Sequence, residues 1–425
     1  MSGATITEKI LSRVMGHPVA AGDIIYPVPE LVTVHDWYVV NFDAALREMG
    51  VDRLFDPSRV LISTDHEPLA VSPQAAERQK KVRDIVRRYG ITQFHDVGRS
   101  GLGHIFPIEM GLIRPGMFIE AYDVHVTNFG AVGALALPFV IEISEVLALG
   151  SVWVQVPQTV RVDITGTLAP GTLIRDVAQK LIADLGDELV NYAVVEFGGD
   201  GMAGIDIAGR QTLCNTPIDI GAKSCLVEPD EITRDYLAGR TSVPFAMVAS
   251  DPSANFRARV SYDLSRITPQ VALPPTPDRV VDVTEVEGRP IQHAFIGSCA
   301  SGNLPELRVA AKVLAGRAVH PGTRLFITPT TQAVAADAAR EGLLEIFHRA
   351  GASVTLPGCG PCAGGRIGPM APGEASINTG TRNDYGRLGA ADGEIYLASP
   401  MTVAASAVEG RIADPRRYVV AGAPR

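Results

Sequence analysis

The stretch IQHAFIGSCASGNLPELRVAAKVLAGRAVHPGTRLFITPTTQAVAADAAREGLLEIFHRAGASVTLPGCGPC (291–362) alternates short apolar runs with longer helical patterns. Residues 292–296 have the pattern of a short buried strand, stopped by Gly297-Ser298. Residues 305–314 follow as a helix, with Pro305 suited to a first turn. Residues 324–328 make a second strand. From Thr331 to Ala350, apolar residues recur at Val334, Ala338, Leu343, Ile346, Phe347 and Ala350, close to helical spacing. Gly351 then stands where a C-cap belongs. Residues 353–356 form a third strand, ended by Pro357-Gly358. Strands alternating with helices of this length imply an α/β fold, a parallel sheet with helices on both faces.

In open sheets of this kind, ligands bind outside the carboxyl ends of the strands. Cys299 falls just past one predicted strand and Cys359 and Cys362 just past another, so three thiolates can converge on one crevice. Spacing alone leaves an iron–sulfur cluster, a redox dithiol at Cys359-Gly-Pro-Cys362 and a zinc site all open. The redox reading gives the third cysteine no role. A closed zinc site needs a fourth ligand, and His348 lies inside a predicted helix. Cys214 and Cys225, in LCNTPIDIGAKSCL, read as small buried residues.

Working outward, 425 residues are too many for one core, since single cores stop growing at roughly 250–300 residues. The clearest break is 268–290, where VALPPTP and VDVTEVEGRP interrupt the pattern and closely spaced prolines cannot pair in a central sheet. We expect subdomains over 1–151, 152–267 and 291–425, joined by a linker over 268–290. A net charge of −9 and the lack of a basic, aromatic stripe argue against nucleic acid. The N-terminus has no apolar leader core. The most apolar run, Gly130 to Leu149, carries Glu142 and Glu145 and reads as a buried helix rather than a membrane span. Five cysteines in so long a chain form no disulfide framework, which fits a reducing, cytoplasmic setting. GGDGMAGIDIAG (198–209) lacks the strand and spacing of a dinucleotide site, so nucleotide binding is discounted.

Eight segments carry a likeness: STDHEP (63–68), GLGHIFPIEMG (101–111), YDVHVTNFGAVGALA (122–136), AVVEFGGDG (193–201), AFIGSCASGNLPELRVAAKVLAGR (294–317), LPGCGPCAGG (356–365), TRNDYGR (381–387) and IYLASPMTVAASAVEGRIADPR (395–416). In type and order they resemble the aconitase and isopropylmalate dehydratase family, over nearly the whole chain. The resemblance implies three α/β/α subdomains around a central [4Fe–4S] cluster, held by Cys299, Cys359 and Cys362 with one iron left open. It implies a hydro-lyase, because hydroxide is a poor leaving group that needs a Lewis acid and a proton donor. By the same resemblance Arg382 and Arg387 clamp a substrate carboxylate. Asp65-His66 and Asp123-x-His125 are acid–base pairs, His104 lies near them, and Glu196 is a carboxylate near the substrate hydroxyl. His35 falls where the family can place a carboxylate-binding residue.

Departures cluster at pocket positions. The family usually has C-T-N where this chain has Cys299-Ala300-Ser301, D-S-H-T where it has Asp123-Val124-His125-Val126, and N-R-N-F where it has Thr381-Arg382-Asn383-Asp384. Trp37-Tyr38-Val39-Val40 replace a small polar run. These changes imply an altered substrate, a substituted malate or maleate-type dicarboxylic acid. The sequence closes with ADPRRYVVAGAPR, so the resemblance further implies a separate small subunit carrying the family's swivel domain. Two other readings stay open: a degenerate family member with a binding or regulatory role, and a mononuclear metal hydro-lyase on the same three thiolates.

Overall fold

The structure is a computed structural model and describes residues 3–419. The extreme ends, 1–2 of the segment read for a leader and 420–425 of the C-terminal subdomain, lie outside the described residues. Two compact units appear, Met1–Ile164 with Asp187–Tyr262, and Thr165–Gly186 with Asp263–Arg425. One boundary falls at Gly186, whose φ of 66° interrupts the helical run Ile174–Val190.

The first unit is built on five parallel strands: β1 (Leu31–His35), β2 (Val60–Ser63), β3 (Gln93–His95), β4 (Phe118–Ala121) and β5 (Leu135–Pro138). Their spatial order is β3-β2-β1-β4-β5. The chain winds outward from β1 in one direction, then returns to the other side. Alternate residues feed two cores, as the pleat requires. Val32, Val34, Phe118, Leu135 and Leu137 pack with helices α1 (Asp36–Glu48) and α2 (Pro73–Tyr89). Leu31, Ile119, Ala121, Ala134 and Ala136 pack with Phe106, Phe129 and Ile207. A second sheet follows, of β6 (Thr159–Thr165), β7 (Val194–Gly198), β8 (Ser224–Val227) and β9 (Ala258–Asp263), in the order β8-β7-β6-β9.

The second unit holds β10 (Gln270–Ala272), β11 (Val280–Asp282), β12 (His293–Ile296), β13 (Arg324–Ile327), β14 (Ser353–Val354), β15 (Ala375–Asn378) and β16 (Glu394–Ala398), ordered β11-β10-β16-β15-β12-β13-β14. Strands β12 to β16 are parallel and repeat the outward-and-back winding of the first unit. Strands β10 and β11 add antiparallel to the β16 edge. Tyr396 and Ala398 of β16 face a core shared with helices Leu304–Leu314, Gln332–Arg340, Leu343–Ala350 and Pro400–Glu409. Ile395 and Leu397 face the other way, onto Ala272, Met370 and Leu388.

Four expectations change. The helix expected over Gly130–Leu149 is the end of a 3-10 segment, strand β5 and a short helix Ile143–Leu149. A continuous apolar run suits a strand buried on both faces as well as a buried helix, and Gly133, at φ 77°, ends the 3-10 turns before β5. The single helix expected over 331–350 breaks at Gly342, whose left-handed φ of 75° no helix accommodates. In the second unit, the face of the seven-stranded sheet opposite these helices carries an apolar cluster of strand and loop residues, where helices were expected. Residues 268–290, read as a linker, carry β10, β11 and a capped turn at Val283–Val286, with the prolines looped between the strands. No helix among the described residues is long and apolar enough to cross a membrane.

Phe347, fully buried among these helices, gives a direct check of the second core. Phe347→Ala should cost about 3–5 kcal/mol, read as a shift of the chemical denaturation midpoint. The partly buried neighbour Leu344→Ala should cost distinctly less.

Candidate functional site

A strand order of this type leaves a crevice at its switch point, between the first strand and the strand that begins the return. In the first unit that point lies between β1 and β4. The last residue of β1 is His35, and two residues past β4 comes Asp123. The loop after β2 supplies Asp65 and His66, and the loop after β3 leads to His104. All of these project from one edge because the strands run parallel.

Their geometry centres on the Asp123 carboxylate. Its Oδ2 lies 3.7 Å from His35 Nε2 and 3.6 Å from His66 Nε2. Its Oδ1 lies 3.3 Å from His104 Nε2 and 3.5 Å from His125 Nδ1, and accepts the His125 backbone N–H at 2.9 Å. His66 Nδ1 meets Asp65 Oδ1 at 2.8 Å, and Asp65 Oδ2 accepts the Gly103 N–H at 2.7 Å. The His35 and His66 rings stack at 3.8 Å, with Tyr122 edge-on to His35 and Trp37 tilted against His66.

Asp36 was not singled out from the sequence. It opens α1 and accepts the backbone N–H groups of Asp65, His66 and Glu67 at 3.1–3.3 Å, pinning the β2 loop to β1. Asp219 was also missed; its Oδ2 stands 3.4 Å from His125 Nε2. Beside it, Asn215 donates to Asn128 Oδ1 at 2.9 Å. The signal for Asp36 was its place directly after the strand-ending His35. Asp219 is 94 residues from His125, and only the fold joins them.

Burial and charge pull these groups apart. Burial, helped by the neighbouring His66, lowers His35 to about 3 against the opposing pull of Asp123 and Asp65. Burial and then the Asp65 carboxylate raise Asp36 to about 6. Burial also pushes Asp65 upward, but His66, by charge and hydrogen bond, prevails with His35 and His104 and holds it low. Asp123 is likewise pushed up by burial and carried well below the usual carboxylate range by His104, His125 and His66. A neutral imidazole therefore sits beside ionised carboxylates in one buried group, an arrangement that can hold and pass protons.

In the second unit the switch point lies between β12 and β15. Cys299 follows β12. The residue before it, Ser298, has φ 74°, a strained value for a residue with a Cβ. Its hydroxyl donates to Thr379 O at 2.9 Å and accepts the Ala300 N–H at 3.2 Å. Thr379 Oγ1 in turn accepts from Gly297 N and donates to Gly297 O, both at 2.8 Å. The β12 and β15 loops are thus clasped together.

The turn Cys359–Cys362 reaches the same place. A Cβ on Gly360 would collide with the Thr328 side chain, and one on Gly302 would lie 2.9 Å from Thr328 O, so both cysteine-bearing loops pack on one residue. A Cβ on Gly380 would come 3.7 Å from Cys362 Sγ. Cys299 and Cys362 are buried and Cys359 is half-buried, none of them in a disulfide. Three thiols on tightly packed loops at one sheet edge fit a group bound through sulfur. Cys214 and Cys225 are fully buried in the first unit, and burial raises both thiols, which suits inert core residues.

The remaining expected residues lie in other surroundings. Glu196, on β7, accepts from Arg161 Nη1 at 2.7 Å and from Ser250 Oγ at 2.8 Å, and Arg161 also binds Glu228 and Asp163. Its known partners are these, not the histidines. Arg382 is exposed and donates through Nε and Nη2 to Asp384, both at 2.9 Å. Arg387 is half-buried, its backbone N–H bound to Asp384 O at 3.1 Å.

A model of the aconitase family (aconitate hydratase) matches residues 8–290 and 284–410, so the chain belongs to that family. It is 42% identical to a 3-isopropylmalate dehydratase large subunit of Methanopyrus kandleri, over 98% of this chain and 100% of that one. It is 38% identical to the large subunit of the same name from Moorella thermoacetica, over 98% and 100%. It is also 38% identical to a methanogen homoaconitase large subunit of Methanocaldococcus jannaschii, over 96% and 99%.

The depressed His35 has a measurable consequence. Its folded value lies below the unfolded one, so the unfolded chain binds the extra proton more readily and acidification costs stability. From pH 7 to pH 5 this one group should cost about 2 kcal/mol, whereas Asp36, shifted upward, works in the opposite sense. In His35→Phe the His35 contribution vanishes. Denaturation at both pH values should show the unmodified chain losing about 2 kcal/mol more than the variant on acidification.

Proposed function

We propose that this chain is the catalytic large subunit of a hydro-lyase that dehydrates or rehydrates a substituted malate-type dicarboxylic acid, in the manner of a 3-isopropylmalate dehydratase. The observation that carries the proposal is the set of histidines around Asp123, with His66 oriented by Asp65 at 2.8 Å. Removing a proton next to a carboxylate needs a base held in one tautomer. A carboxylate on Nδ1 gives that and leaves Nε2 turned toward Asp123 Oδ2, 3.6 Å away, as the atom that takes or returns the proton. His35 stays neutral at physiological pH and offers a hydrogen bond without adding charge.

Cys299, Cys359 and Cys362 would hold a [4Fe–4S] cluster, which supplies a Lewis acid for the departing hydroxyl. Arg387, and Arg382 once its contact with Asp384 is exchanged, would bind a substrate carboxylate through their planar guanidinium groups. An exposed pair such as Arg382–Asp384 is worth only about 1 kcal/mol or less, so such an exchange is cheap. Glu196 keeps a supporting place in the proposal through Arg161, with Asp219 the better placed carboxylate beside His125. The relatives named above are all large subunits, which supports a separate small subunit as partner.

Two experiments test this function. In the chain combined with its small partner, Asp65→Asn should lower kcat on 3-isopropylmalate by about 10²–10⁴-fold with little change in KM; an unchanged kcat removes the base from the mechanism. After anaerobic reconstitution, Cys362→Ser should lose the visible chromophore and Cys214→Ser should keep it. One zinc and no sulfide in the unmodified chain would defeat the cluster.

A further inference from the structure

The helical segment Ile174–Val190 begins with a buried cation next to the buried carboxyl of Asp176. Arg175 sits in its first turn, where the positive end of the helix dipole disfavours a cation. It is also 2% exposed, among the most deeply buried large side chains, and burying a charge is costly unless something nearby uses it. The turn around it is bolted down on both sides. Asp176 accepts the N–H of Leu173 at 2.8 Å and that of Gln270, on β10, at 3.0 Å. Gln179 donates to Leu397 O, on β16, at 2.7 Å. Held in this way, the Arg175 guanidinium donates from Nη2 to Gly380 O at 2.6 Å.

Gly380 is the residue against Cys362. Its N–H is bound to Asn378 Oδ1 at 2.7 Å, and a Cβ there would reach within 3.7 Å of Cys362 Sγ. The residue before it, Thr379, clasps the loop leading to Cys299. We infer that Arg175 is a positioning residue for the cysteine site: it fixes the Gly380 loop beside Cys362 and places a permanent positive charge behind the group that the cysteines carry. The inference rests on the cluster reading of those cysteines. Three thiolates make such a cluster net negative, and adding an electron makes it more so, so a buried cation one residue away favours the reduced form.

The test uses the full chain, reconstituted anaerobically with iron and sulfide, and compares Arg175→Gln and Arg175→Lys with the unmodified chain. The glutamine stays polar but removes the charge, and the lysine keeps it. A dye-mediated redox titration followed by electron paramagnetic resonance should show a lowered midpoint potential in Arg175→Gln and a nearly unchanged one in Arg175→Lys. Packing alone would not produce that split. An Arg175→Gln potential equal to that of the unmodified chain overturns the inference. If Arg175→Gln takes up no cluster, Arg175→Lys decides: full iron and sulfide loading with an unchanged potential supports the charge, and lost loading overturns it. An unmodified chain that binds no iron–sulfur cluster defeats the underlying reading, and this inference with it.

Discussion

Parallel pairing around a first strand that lies in the middle of its sheet is the constraint on which the rest depends. Both units obey it. In each, the chain lays down three strands in one direction and returns to add two on the other side, so the first and fourth strands become neighbours with their carboxyl ends open. Parallel strands put every carboxyl end on one edge. Within each unit, residues scattered over some eighty or more positions of sequence thus reach one edge of their own sheet: His35, Asp65, His66, His104 and Asp123 in the first, Cys299, Cys359, Cys362 and Gly380 in the second. An antiparallel pairing at either switch point would send half of these groups to the opposite edge.

Within the first unit the same edge solves an electrostatic problem. Several carboxylates and imidazoles are taken out of water together, which is costly for each alone. Asp123 and Asp65 remain ionised because imidazoles surround them. Asp36 spends its acceptors on three backbone N–H groups and still lies near neutrality in its affinity for a proton, pushed there by burial and by Asp65. Neighbouring groups of one chemical type thereby acquire different proton affinities, the condition for dividing acid and base roles between them.

Much of the second unit is legible in the sequence because its breaks are chemical: Gly297-Ser298, Pro357-Gly358 and Gly351 end elements where a glycine or proline must. The first unit is harder. Its sheet strands are short and buried on both faces, so the Gly130–Leu149 run carries no period to separate strand from helix. The break at Gly342 is masked by apolar residues that keep helical spacing across it. At the sites, residue types next to a strand end were visible, as with His35, Asp65, Asp123 and Cys299. Asp219 and Arg175 were not, since their roles depend on a partner far along the chain. The bidentate pairing of Arg382 with Asp384 was equally invisible, although Asp384 itself departs from the family's usual pattern.

The central claim is that the three cysteines hold a cubane with one metal corner open to a malate-type substrate. Mössbauer spectroscopy of the full chain reconstituted with ⁵⁷Fe, before and after addition of 3-isopropylmalate, tests it most directly. The account predicts a four-iron spectrum in which a single iron changes its signal when the substrate is added. Iron that shows no cluster signature, or a cluster whose irons all ignore the substrate, would contradict it.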